Sequence, residues 1–93
     1  MRIRVDPHTV QRAVERGAAE SEIIDVLENG LSVPAKYGRM AKMKIFPYNQ
    51  IRGGRIYRQK KVEVFCTIVE DTIVTVTCYV FYGQWENGDA DIL

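Results

Sequence analysis

The chain has 93 residues, 46% of them hydrophobic, which suits one compact domain and excludes both a two-domain protein and a disordered tail protein. Its net charge is +1, yet the charge is unevenly placed. Residues 1–30 hold four basic and six acidic side chains, residues 31–62 nine basic and no acidic, and residues 63–93 no basic and six acidic, so the near-neutral total hides a candidate phosphate-binding segment.

Arg2 to Val5 alternates polar and apolar, as a short strand or an extended lead-in does. Asp6-Pro7 is a helix start: Asp accepts from the first-turn N–H groups, and Pro at the first helical position has no N–H to leave unpaired. The helix is predicted from Pro7 to about Arg16, ending at Gly17, with Val10, Ala13 and Val14 on its apolar side. A second helix is predicted from Glu20 to Asn29, with Ile23, Ile24 and Leu27 buried and Glu20 and Glu22 favoured by the helix dipole. The two form a helical hairpin.

After Gly30 the period changes. Leu31 to Pro34 reads as extended, residues 35–41 as a loop, and Met43 to Phe46 as a strand stopped by Pro47. Asn49 to Gly54 reads as a turn. Arg55 to Arg58 and Val62 to Val69 read as strands with a hinge at Gln59 to Lys61, since one strand across both would be unusually long. In the last hairpin the even positions from Val62 to Ile68 and from Val74 to Val80 are all apolar and are expected to face the core. A three-residue loop at Glu70-Asp71-Thr72 keeps that face and sets Cys66 opposite Val76 and Cys78 opposite Val64. The cysteines are then diagonal neighbours roughly 7–8 Å apart and are expected to be buried free thiols. Gln84 to Leu93 reads as a flexible acidic tail whose start Trp85 pins, after a single domain over residues 1–83. The expected fold is α+β, an N-terminal helical hairpin packed on an antiparallel sheet of about four strands. No run approaches the ~18 apolar residues of a membrane span, and the charged N-terminus has no apolar leader core, so a cytoplasmic protein with no membrane partner is expected.

Three constellations could carry chemistry. His8, Arg12 and Arg16 stand four residues apart and share one stripe of the first helix. Histidine takes and gives protons near neutral pH, and two arginines beside it could hold a phosphodiester. The same stripe also reads as a solvated face whose arginines pair with local carboxylates such as Glu15. The second is the basic segment with interleaved aromatics, in which Lys42, Lys44, Tyr48, Arg52, Arg55, Tyr57, Arg58, Lys60 and Lys61 are the candidate RNA-binding residues. It reads equally as a surface that docks the acidic tail of the same chain. The third is the polar face of the last hairpin, Thr67, Thr75, Thr77 and Tyr79, which reads as ordinary strand surface or as hydroxyls lining an RNA groove. There is no metal-ligand spacing and no Gly-rich phosphate loop, and no cofactor is expected.

The run from Pro7 to Gly17, with His8, Arg12 and Glu15-Arg16-Gly17, and its continuation from Ile23 to Asn29-Gly30, resembles a bacterial family of uncharacterised small domains. Thr75-Val76-Thr77 matches the Thr-Val run that closes that family's β-rich part. The family is distantly similar to the BrnT and RelE toxins of toxin–antitoxin pairs. The resemblance implies a metal-independent endoribonuclease in which His8 acts as acid or base and Arg12 and Arg16 hold the scissile phosphate. RNA, free or on the ribosome, and an antitoxin protein would be its partners. The alternative, from charge placement alone, is a non-catalytic module that binds nucleic acid or an acidic partner protein through the basic segment.

Overall fold

The computed structural model describes residues 1–85. In chain order the elements are β1 (Arg2–Arg4), α1 (Pro7–Arg16), α2 (Glu20–Asn29), β2 (Leu31–Val33), β3 (Met40–Arg52), β4 (Arg55–Val69) and β5 (Thr72–Gly83). The strands form one sheet of order β1-β5-β4-β3-β2. Neighbours are antiparallel except β1, which runs parallel to β5. The fold is therefore α+β, with two N-terminal helices on a mixed sheet of five strands rather than an antiparallel sheet of about four.

Both helices lie on one face of the sheet. The core between them joins Ala13 and Ala18 to Ile23, Val26 and Leu27 of α2 and to Val62, Val64, Cys66 and Cys78 of the sheet. The start and stop of α1 follow the local chemistry. Asp6 accepts from the His8 N–H at 2.8 Å, Pro7 opens the helix, and Gly17 ends it at φ 101°, a conformation that favours glycine. Its buried residues are Thr9 and Ala13, whereas Val14, expected inward, is 65% exposed. Thr9 is accommodated because its hydroxyl accepts a 3.0 Å hydrogen bond from Thr75. In α2, Val26 is buried in place of Ile24, which is half-buried. Ala19 offers no capping oxygen, and Glu22 reaches back to accept from the Ala19 N–H at 2.9 Å.

The strands are longer than their sequence suggests, for reasons that lie in the sheet. The hinge expected at Gln59 to Lys61 is absent, because these residues pair with β3 on one side and β5 on the other, which holds β4 straight through. Pro47 does not stop β3. It lies beyond the reach of β2, which pairs only with Ala41–Met43, and the register to β4 shifts between Pro47 and Gln50, with Asn49 at φ 53°. A proline is tolerated at such an edge and bulge. The turn expected over Asn49 to Gly54 shrinks to Gly53-Gly54, whose φ of 60° and 81° suit a two-residue hairpin turn. At the other end, β3 begins at Met40, so the loop expected over residues 35–41 is shorter.

The last hairpin keeps Cys78 opposite Val64, but Cys66 faces Thr75, not Val76. The turn holds two residues, Glu70 and Asp71, and the register shifts by one at Val76. This bulge turns Thr75 inward, where it is 3% exposed, and moves Val74 out of the core-facing set. Thr75 thereby leaves the expected polar face and anchors α1, accepting from the Asp6 N–H at 2.9 Å. Both cysteines are free and buried. Trp85 is pinned as expected, its N–H donating to Gln59 Oε1 at 2.6 Å, and the rest of the expected tail, residues 86–93, lies outside the described residues.

Candidate nucleic-acid interface

The His8–Arg12–Arg16 stripe is assembled but its members have different surroundings. His8 opens to solvent, with 91% of its side chain exposed and Nδ1 3.3 Å from Asp6 Oδ1. Arg12 is exposed and pairs with Glu15 at 3.6 Å. Arg16 turns to the sheet. Its Nη1 donates to the Cys78 carbonyl at 2.6 Å, and its guanidinium lies 4.9 Å from the Tyr79 ring centre. Arg16 thus occupies a carbonyl of β5 beyond the three residues that β1 pairs, and shields that edge from other strands.

The basic segment divides according to where the helices end. Two of its members and Tyr82 close the C-terminal end of α1: Tyr82 Oη donates to the Arg16 carbonyl at 2.5 Å, Lys60 Nζ to the Gly17 carbonyl at 2.8 Å, and Arg52 Nη2 to the Glu15 carbonyl at 3.2 Å. Lys60 also pairs with Glu22 of α2 at 2.9 Å with its side chain only 9% exposed. Lys42 donates to the Leu27 carbonyl near the end of α2. Lys44 bonds both carboxylate oxygens of Asp25, at 2.8 and 2.9 Å, and with Asn29 holds that carboxyl below its usual range. Helix C-termini carry partial negative charge and unpaired carbonyls, so cations beneath them are expected to be consumed there. Lys61 stands 3.8 Å from Glu63 and over the Phe81 ring. Tyr48 and Tyr57 flank Tyr82 at 5.0 and 5.7 Å between ring centres, and burial pushes the Tyr82 hydroxyl above its usual pKa.

Lys36, Arg39, Arg55 and Arg58 remain. All four are exposed and have no hydrogen-bonding or ionic side-chain partner among the described residues; Lys36 and Arg39 lie between β2 and β3, and Arg55 and Arg58 on the β3–β4 hairpin. Arg58 lines two open clefts of about 300 and 310 Å³. One is walled by Pro47, Asn49, Gln59 and Trp85, the other by Arg55, Ile56, Tyr57 and Gly83, with Gln84 shared. Among the described residues neither has an acidic wall residue. The charge pattern could identify these arginines as cations, but it could not show that Trp85, outside the basic segment, stands beside one of them.

Burial raises the pKa of Cys66, and pushes that of Cys78 to about 11, so neither thiol has the character of a nucleophile. Among the described residues no cluster of His, Cys, Asp and Glu could hold a metal ion, and no helix is long and apolar enough to cross a membrane. No family model, no curated protein and no solved structure matches the chain.

Proposed function

We propose that this protein is a cytoplasmic module that binds single-stranded RNA through the turn end of the β3–β4 hairpin. Arg58, exposed and lining two clefts that have no acidic wall residue among the described residues, carries the reading. Single-stranded nucleic acid asks for cations that reach phosphates and for aromatic faces on which bases stack. Arg55 and Arg58 supply the first, and Tyr57 and Trp85, each lining one of the two clefts that Arg58 shares, supply the second. Lys42, Lys44, Lys60 and Arg52 serve this site indirectly, by fixing the sheet to the helices.

The test is fluorescence anisotropy with a short labelled oligouridine. Binding falls steeply with salt. Replacing both Arg55 and Arg58 with Ala weakens it about tenfold and lowers the slope of log affinity on log salt by about 1.4, as two lost phosphate contacts require. Absence of binding at low salt, or undiminished binding by the double variant, defeats the proposal.

RNA cleavage is the second reading, favoured by the Asp6–His8 contact. A carboxylate at one ring nitrogen of a solvent-facing histidine fixes the ring for proton transfer at the other. Arg12, one turn along, would meet the phosphate, whereas Arg16 would have to leave the Cys78 carbonyl to do so. An antitoxin would be the partner in that case. RNA cut by the wild type, alone or on ribosomes, and spared by His8→Ala is the expected outcome of this reading. Cleavage that survives His8→Ala removes His8 from it.

A further inference from the structure

The basic segment leaves cations over in a second place, the connection between β2 and β3. A tight turn lies there. The Arg39 N–H donates to the Lys36 carbonyl at 3.2 Å, and the two residues between them, Tyr37 and Gly38, stand at φ 61° and 71°. Turns with positive φ at both central residues favour Asn-Gly, because that conformation strains a residue with a bulky side chain. Tyr37 takes the strained position and gains almost no packing in return, since it is 89% exposed. A Cβ at Gly38 would meet nothing within 4 Å, so the backbone of the turn also faces open space. Lys36 and Arg39 flank the ring, and both are exposed and unpartnered among the described residues. Backbone strain that no internal contact repays is characteristic of ligand-holding positions.

We propose, resting on the RNA-binding reading above, that this turn is a second contact for the same single strand, with a base stacked on Tyr37 and the adjoining phosphates on Lys36 and Arg39. The two places repeat one chemistry: unpartnered cations beside an aromatic face. β3 joins them. Arg39 immediately precedes its first residue, and Arg55 pairs with its last, Arg52. The thirteen residues of that strand set the two places roughly 40 Å apart. No acidic residue occurs between Leu31 and Val62 to repel a polyanion along the way. Asp25, which reaches β3 from α2, is neutralised by Lys44. An RNA long enough to span β3 makes its second contact intramolecularly, so it binds more tightly than one that reaches a single end.

The decisive measurement compares the affinity of the full chain for labelled oligouridines of about 4 and about 12 nucleotides, lengths that reach one place and both. The wild type is expected to bind the longer at least about tenfold more tightly. Tyr37→Asn removes the ring and gives the Asn-Gly pair that the turn favours. It is expected to weaken the longer oligomer about fivefold or more, as a lost stacking contact requires, and the shorter by no more than about twofold. Lys36→Ala combined with Arg39→Ala is expected to lower the slope of log affinity on log salt for the longer oligomer by about 1.4. The urea midpoint of Tyr37→Asn is expected at or above that of the wild type, since strain is relieved. A lower midpoint would make the ring a structural part of the turn and overturns the proposal. Equal wild-type affinity for the two lengths overturns it too, as does binding of the longer oligomer that both variants leave unchanged. In each of those cases a loss on replacing Arg55 and Arg58 still upholds the hairpin site, whereas a wild type that binds neither oligomer overturns both readings.

Discussion

The cations under the helices and those on the β3–β4 hairpin come from one uninterrupted basic segment, yet they do different work. Lys42, Lys44, Lys60 and Arg52 each end on a carbonyl or carboxylate belonging to a helix. Arg55 and Arg58 have no such helix contact among the described residues and line an open cleft. The difference teaches that a segment's formal charge overstates what it offers a ligand. A cation beneath a helix C-terminus answers the partial charge and unpaired carbonyls of that end, and little of it remains for an outside phosphate. Availability is decided residue by residue: Arg52 at the tip of the hairpin is taken by the Glu15 carbonyl, while Arg55, its partner across the turn, has no such contact among the described residues.

Lys60 gives the largest effect expected from breaking this division. It is 7% exposed and joins the end of α1, through the Gly17 carbonyl, to the first turn of α2, through Glu22. Lys60→Met keeps the apolar stem and removes the ammonium, leaving a partly buried carboxylate and an unpaired carbonyl. A loss of about 2–4 kcal/mol of unfolding free energy is expected, read as a lower urea midpoint. A loss under about 0.5 kcal/mol would place Lys60 with the surface cations instead.

The hairpin arginines should behave in the opposite way. With both Arg55 and Arg58 replaced by Ala, the urea midpoint should stay within the equivalent of about 0.5 kcal/mol of the wild type, as surface positions do. RNA affinity, in contrast, should fall about tenfold. If stability falls with affinity, these two side chains hold the hairpin together and the contrast between the populations collapses.

Much of this division was beyond the reach of the sequence, for physical reasons. The ends of α1 were legible because Asp6-Pro7 and Gly17 act through the local backbone. Its buried side was not, because Thr9 is satisfied only by Thr75, 66 residues away. Alternation revealed the last hairpin, yet the bulge at Val76 depends on what Thr75 meets in the helix layer. The stripe His8, Arg12, Arg16 was visible as a pattern, but Arg16's engagement needs an open strand edge that only the assembled sheet supplies. The basic residues were all identifiable. Which of them a helix end would claim depends on packing between elements far apart in the chain.

The smallest effect belongs to Lys44 and Asp25, a pair about one-third exposed, and pH isolates it. Lys44, then Asn29, lowers the Asp25 pKa below its ordinary 3.8. The unfolded chain therefore takes up this proton at higher pH than the folded chain does. Stability from the pair is present above about pH 3.8 and is lost as pH falls through the lower folded value. Lys44→Met should lower the urea midpoint slightly at neutral pH, and the gap from the wild type should narrow in acid as Asp25 becomes protonated. Salt should narrow it too, because the pair is accessible to screening. A gap that ignores both acid and salt would mean that Lys44 acts through its aliphatic stem against Phe46, whose ring centre lies 5.4 Å from Nζ, and not through Asp25.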